Sequence, residues 1–168
     1  AAMVFGAGDP HADIVLVGEQ PSPQDGKLGA LFSGDPGELL DRILNAISLN
    51  REKVYLATLL KCPAAGDAEP KEQDAELCLP YLLKQLALIQ PKFILAMGRT
   101  AAGFLLRSEE PLSRLRGRLH SYGNAKVIVT YTPATLLRYP QFKRETWADV
   151  QLLRRAYDDT IARSTEKS

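Results

Sequence analysis

Cysteine is scarce. Two thiols in 168 residues are too few for a disulfide scaffold, so a reducing, cytoplasmic setting is expected. Long hydrophobic runs are missing too. No stretch approaches the ~20 apolar residues a membrane helix needs, so no membrane partner is expected. The opening AAMVFGAGDP lacks the basic-then-apolar layout of a secretory leader. There are no internal repeats or low-complexity tracts. The Gly-rich segment 19–34 contains neither GxGxxG nor GxxxxGK followed by Ser or Thr, which sets aside a nucleotide- or phosphate-binding module.

What remains is an ordinary globular composition, 45% hydrophobic and 24% charged, in a length that fits a single domain over residues 1–168. Net charge is only +1, but it is unevenly spread. Residues 1–98 carry 8 Lys/Arg against 13 Asp/Glu, and residues 99–168 carry 13 against 7. Arg99, Arg107, Arg114, Arg116, Arg118, Arg138, Arg144 and Arg154 fall in the basic part. Guanidinium forks match phosphate oxygens well, so this half is expected to face a nucleic-acid backbone. His11 and His120 have no ligand-like neighbours and are expected at the surface.

Strand and helix patterns alternate along the chain. Asp13–Gly18, Val54–Leu60, Phe93–Met97 and Val127–Tyr131 are short apolar runs of the kind buried on both faces of a parallel sheet. A helix is expected from Asp35 as cap, with Pro36 in the first turn, Glu38 completing a capping box, and Leu39, Leu40, Ile43, Leu44 and Ile47 facing the core. A second helix spans 71–89, kinked at Pro80, and should bury Leu77, Tyr81, Leu82, Leu88 and Ile89. An Ala-rich helix covers 100–106, and a last one, 141–163, carries Trp147, Val150, Leu153 and Tyr157 on its core stripe. The fold class is therefore α/β, a three-layer αβα arrangement with a four-stranded parallel sheet between helices. Sites in such folds gather at the carboxyl ends of strands. Three loops qualify: 19–34, which is expected to be irregular throughout, 61–70 and 132–140. Thr58 and Thr132 should point toward one crevice.

Those loops carry a resemblance. Val17-Gly-Glu-Gln-Pro21, Asp25-Gly-Lys-Leu-Gly-Ala-Leu-Phe32-Ser-Gly34 and the Leu39-Leu-Asp41 helix resemble the first motif of the family 4 uracil-DNA glycosylases. The likeness continues through Val54-Tyr55, Lys61-Cys62, Glu76-Leu-Cys78-Leu-Pro80, Gln90–Gly98, Leu115-Arg-Gly117 and Tyr131-Thr-Pro-Ala-Thr-Leu-Leu-Arg138, with Trp147 downstream. It runs from about Val4 to Tyr157. It implies a uracil-DNA glycosylase-like fold, DNA as partner (single-stranded or uracil-containing), and base flipping in DNA repair or replication. Phe32 matches the aromatic on which the base stacks, with Gln20 beside it in the base site. Glu19 and Asp25 match the acidic positions that handle water or sugar charge, although Asp25 beside a glycine equally suits a turn cap. Leu136, Leu137 and Arg138 match the loop that wedges into DNA, and Arg116 and Arg118 are assigned to its backbone.

Two positions depart from the pattern. The family usually has Asn where Thr58 stands and His where Thr132 stands. An Asn amide donates and accepts at once, whereas Thr58 offers one hydroxyl. The His donates to the carbonyl oxygen that gains charge as the glycosidic bond breaks, and losing such a donor costs ~10²–10³ in rate. Weak or absent uracil excision is expected. The resemblance also makes Cys62 and Cys78 half of a four-cysteine iron–sulfur site whose other pair lies upstream of Val4. With two cysteines the chain is expected to hold no intact cluster and no other cofactor. The alternative is a non-enzymatic, protein-binding descendant in the replication machinery, like the psi subunit of bacterial DNA polymerase III, whose body has a glycosylase-like fold.

Overall fold

The computed structural model describes residues 5–63 and 70–166. Among them, β1 (Ala7–Gly8), β2 (Ile14–Gly18), β3 (Tyr55–Thr58), β4 (Phe93–Met97), β5 (His120–Tyr122) and β6 (Ala125–Thr130) form one sheet in the order β1-β3-β2-β4-β6-β5. The central four, β3, β2, β4 and β6, are parallel and are the four strands expected. The sheet is nevertheless six-stranded, because β1 pairs antiparallel with β3 and β5 antiparallel with β6. Both additions are too short to show a period of two. The β5–β6 turn did leave a signal, a Gly123-Asn124 pair with Gly123 at φ +55°. Short antiparallel pieces at both edges shield the parallel strands from further pairing.

Side-chain alternation along the strands builds two cores. Val15, Val17, Ala57, Ile94, Ala96, Val127 and Val129 face one way, against Leu82 and Leu86 of α3 (Glu72–Ile89) and Ala101, Ala102 and Leu105 of α4 (Arg99–Leu106). Ile14, Leu16, Leu56, Phe93, Leu95 and Ile128 face the other, against Leu40 and Leu44 of α2 (Gly34–Ala46) and Val150 and Leu153 of α7 (Lys143–Glu166). This is the three-layer αβα arrangement. Each fully buried Leu or Ile contributes about 1.5–3 kcal/mol relative to exposure. Among the described residues no helix is long and apolar enough to cross a membrane.

Several expectations need correction. The segment 19–34 is not irregular throughout: it contains α1 (Pro23–Leu28), with a Ser22/Asp25 capping box and Pro23 in the first turn. Helix α2 starts at Gly34, and neither Asp35 nor Ser33 caps it, because the Ser33 hydroxyl donates to Asp25 instead. Helix α3 continues through Pro80 and buries a different stripe. Leu77, Tyr81 and Leu88 are exposed, while Ala75, Leu82 and Leu86 are interior. Apolar side chains surround α3 on most sides, so periodicity alone could not choose the buried face. Trp147 is 43% exposed rather than core. His120 is partly buried, its Nε2 2.6 Å from the Leu115 carbonyl, whereas His11 is exposed as expected. Strand β6 ends at Thr130, so Tyr131 begins the following loop. Residues 64–69 of the second candidate loop lie outside the described residues.

Candidate active site

The chain order reverses between β2 and β4: β3 lies on one side of β2, and the chain then crosses to β4 on the other. In open α/β sheets the crevice outside such a switch point is where ligands bind. Here the strand ends at that switch point are Gly18-Glu19, closing β2, and Gly98, following β4. Leu59 N–H donates to Gly18 O and Leu60 N–H to Glu19 O, both at 2.9 Å, so the β2–β3 ladder continues past the strands. Gly98 N–H donates to Thr130 O at 2.8 Å, tying β4 to β6. Glu19 Oε2 accepts from Thr100 N–H at 2.9 Å, at the start of α4, where the helix dipole favours an anion. Gly98 is at φ +105°, and a Cβ there would come within 2.6 Å of the Glu19 carboxyl carbon. The glycine is what lets the acid sit down on the helix start.

Phe32 overlies the end of β2. A Cβ on Gly18 would stand 2.7 Å from Phe32 Cζ and 3.7 Å from Thr58 Cγ2, so ring, threonine methyl and glycine meet at one point. The Phe32 backbone is at φ +52°, a left-handed conformation that disfavours a bulky side chain by about 1–2 kcal/mol. Two groups hold it there. Asp25, 4% exposed, accepts on Oδ2 from Phe32 N–H (3.1 Å) and Ser22 N–H (3.1 Å), and on Oδ1 from Ser33 N–H (2.9 Å) and the Ser33 hydroxyl. Arg51 donates to Phe32 O (2.6 Å), Leu31 O (2.9 Å) and Gly37 O (3.1 Å), and to Asp41 Oδ1 at 2.6 Å. Burial by itself raises the Asp25 pKa, but the bonds from Ser33 and Ser22 outweigh it, and the carboxyl lies below its ordinary value. Both Asp25 oxygens are thus spent on the loop. Of the two acids expected in the chemistry, Glu19 lies at the crevice and Asp25 shapes its wall.

The threonines flank the crevice from opposite sides. Neighbouring strands are spaced about 4.8 Å apart, so the ends of β3 and β6, three spacings apart, are separated by about 14 Å. Thr58 is 1% exposed, and its hydroxyl donates to Leu60 O at 2.5 Å. Thr132 caps α6 (Pro133–Arg138): its Oγ1 accepts from Thr135 N–H at 3.0 Å and donates to Thr135 Oγ1 at 2.8 Å. A hydroxyl has one proton. Both protons are already used within the protein. Gln20 is half-buried next to Glu19.

The loop after β6 rests on a network the sequence did not reveal. Thr130 donates to Asp149 Oδ2 at 2.8 Å, and Arg116 grips the same carboxylate at 3.1 and 2.9 Å. Tyr131 donates to Glu145 Oε2 at 2.6 Å and stacks on Phe142 at 4.5 Å between ring centroids. Burial and that bond push the Tyr131 pKa up to about 12. Burial also pushes up the carboxyl of Asp149, which is fully enclosed, while Arg116 and Thr130 pull it down. Arg116, assigned to a DNA backbone from the sequence, is paired with Asp149 and braces the interior. Arg118 is exposed but pairs with Glu110 at 3.2 Å. In the expected wedge, Leu136 is 1% exposed and belongs to the interior, whereas Leu137 and Arg138 are exposed.

The two cysteines do not fit an iron–sulfur cluster by themselves. Cys62 is exposed and Cys78 half-buried, two thiolates where such clusters normally take four. Among the described residues no three His, Cys, Asp or Glu side chains gather as a metal site.

Comparison with known proteins agrees with this arrangement. The model of the Uracil DNA glycosylase superfamily matches residues 5–151. A type-4 uracil-DNA glycosylase of Archaeoglobus fulgidus is 36% identical over 154 residues, covering 87% of this chain and 77% of the relative. One from Thermotoga maritima is 34% identical over 138 residues, covering 81% and 72%. A DNA polymerase of Bacillus phage SP01 is 24% identical over 149 residues, covering 88% of this chain but 16% of the polymerase. From the six-stranded sheet, the switch-point crevice and these matches together, the chain belongs to the uracil-DNA glycosylase superfamily.

Proposed function

We propose that this chain engages DNA by taking a flipped base into the crevice between Phe32 and the β6 loop, and that it removes uracil weakly or not at all. Phe32 supplies the stacking surface, worth about 1–3 kcal/mol per base. Gln20 lies on the base side and Glu19 on the sugar side, where a carboxylate can orient water or offset positive charge as the C1′–N1 bond lengthens. Leu137 and Arg138 are the exposed side chains available to fill the gap in the duplex, and exposed cations such as Arg99, Arg107 and Arg114 meet the phosphates. Asp25 and Arg51 act by holding Phe32.

One observation carries the low-activity reading. Uracil leaves as an anion, and its departure needs a hydrogen-bond donor aimed at the carbonyl that gains charge. Thr58 and Thr132 stand where donors would be, and each hydroxyl proton is committed to Leu60 O or to Thr135 Oγ1. The reading takes no chemistry from a metal or cluster. A replication role without chemistry is the second reading, and similarity to a segment of a phage DNA polymerase favours keeping it. The test is excision from oligonucleotides carrying uracil single-stranded, opposite guanine and opposite adenine, beside equilibrium binding to the same DNA. Binding with slow or no cleavage is expected. Rapid cleavage contradicts the low-activity reading, and absence of DNA binding favours the non-enzymatic subunit.

A further inference from the structure

A second concave site lies on the α2/α7 face of the molecule. A groove of about 350 Å³ runs between α2, α6 and α7. Its floor is Leu39, Leu136 and Val150, each at most 5% exposed, and its walls are Ile43 and Trp147. Arg42, Lys143 and Arg144 stand on its rim, all exposed, and no acidic side chain lines it. Among the described residues none of these three cations has an ion-pair partner. An indole left 43% exposed over an apolar floor, inside three unneutralised charges, is an unusual use of surface on a chain with one tryptophan.

We propose that this groove docks an acidic peptide segment of a partner protein, one bulky apolar side chain entering between Ile43 and Trp147 while flanking carboxylates meet Arg42, Lys143 and Arg144. An aromatic or branched anchor in an apolar slot with a polar rim is the usual composition of a binding hot spot. The floor is aliphatic carbon, so a nucleobase placed there would leave its polar edge unpaired, at a cost that an apolar side chain avoids. A second copy of this chain would bring like-charged rims together. The acidic peptide is the occupant that satisfies both floor and rim, and the inference does not depend on whether the crevice cleaves DNA.

Trp147 is its own reporter. The probe is a blocked pentapeptide with one Phe between two pairs of Asp, titrated to millimolar concentration against the full chain. A saturable change in tryptophan emission is expected, weakening with added salt. Replacing Phe by Ala in the peptide, or making the Arg42→Glu/Arg144→Glu double variant, should each weaken binding about tenfold or more. Both arginines are exposed and unpaired, so circular dichroism should be unchanged; the peptide series carries the test without any variant. No saturable change, equal binding by the peptide with Lys in place of Asp, an equal response to oligothymidylate, or a dimer in sedimentation that closes the groove would each overturn the proposal.

Discussion

Replacing Asp25 by Asn removes the charge at the centre of the Phe32 loop while keeping the side chain's shape. The carboxylate accepts four hydrogen bonds, from Ser22 N–H, Phe32 N–H, Ser33 N–H and the Ser33 hydroxyl. A carboxamide can accept on only one side. Its NH₂ would face either the Ser22 and Phe32 N–H groups, losing both bonds, or Ser33, whose hydroxyl can turn to accept while its N–H is left unpaired, so one or two charge-assisted bonds are lost. Such bonds are worth about 1.5–3 kcal/mol each in a buried setting, and partial relaxation of the loop brings the expected cost to about 2–4 kcal/mol. The effect also has a pH signature. The folded-state pKa lies below the ordinary value, so the stabilisation is complete above the unfolded pKa of about 3.9 and is lost as pH falls through the folded value. Urea denaturation of wild type and Asp25→Asn from pH 7 downward should show a gap that is full at neutral pH and narrows in acid. A variant as stable as wild type at pH 7, or a gap that does not change with pH, would refute the clamp.

Lys61 and Arg116 supply two further tests. Lys61 is fully buried with Nζ donating to Thr58 O at 2.7 Å, and burial lowers its pKa to about 8. From pH 8 to 10.5 the folded chain has released this proton and the unfolded chain has not, so wild-type stability should rise with pH there, by up to about 3 kcal/mol. Lys61→Met should abolish that slope in denaturant melts. Arg116→Ala leaves the enclosed Asp149 carboxylate without its bidentate partner and should cost about 3–5 kcal/mol, whereas Arg116→Met/Asp149→Asn should cost clearly less, compared by thermal melting.

The parallel core was legible because β2, β3, β4 and β6 are buried on both faces and read as unbroken apolar runs, a pattern that needs no tertiary context. Helix α3 was legible as a helix but not in its orientation, since Leu77 and Leu88 are as apolar as Leu82 and Leu86. In the site, Thr58 and Thr132 could be picked out because they stand at or just past strand ends, and Glu19 and Phe32 because the motif that carries them resembles the first motif of the family. Their supports could not. Arg51 reaches Phe32 O from 19 residues away, and Arg116 reaches Asp149 across 33, distances at which no local pattern pairs a charge with its partner. That is why Arg116 read as a surface cation although it braces β6, and why Asp25 could be read either as an acid of the site or as a turn cap, while its hold on the Phe32 loop went unseen. The Ser22/Asp25 capping box was visible in the chain and marks the helix that segment 19–34 contains.

The most direct measurement is single-turnover release of uracil from a single-stranded oligonucleotide by the wild type and by Thr58→Asn/Thr132→His. With donors restored on both sides of an intact crevice, the double variant should gain about 10²-fold or more over the parent. A parent that already cleaves efficiently, with a double variant no faster, would show that the committed hydroxyls do not limit this protein.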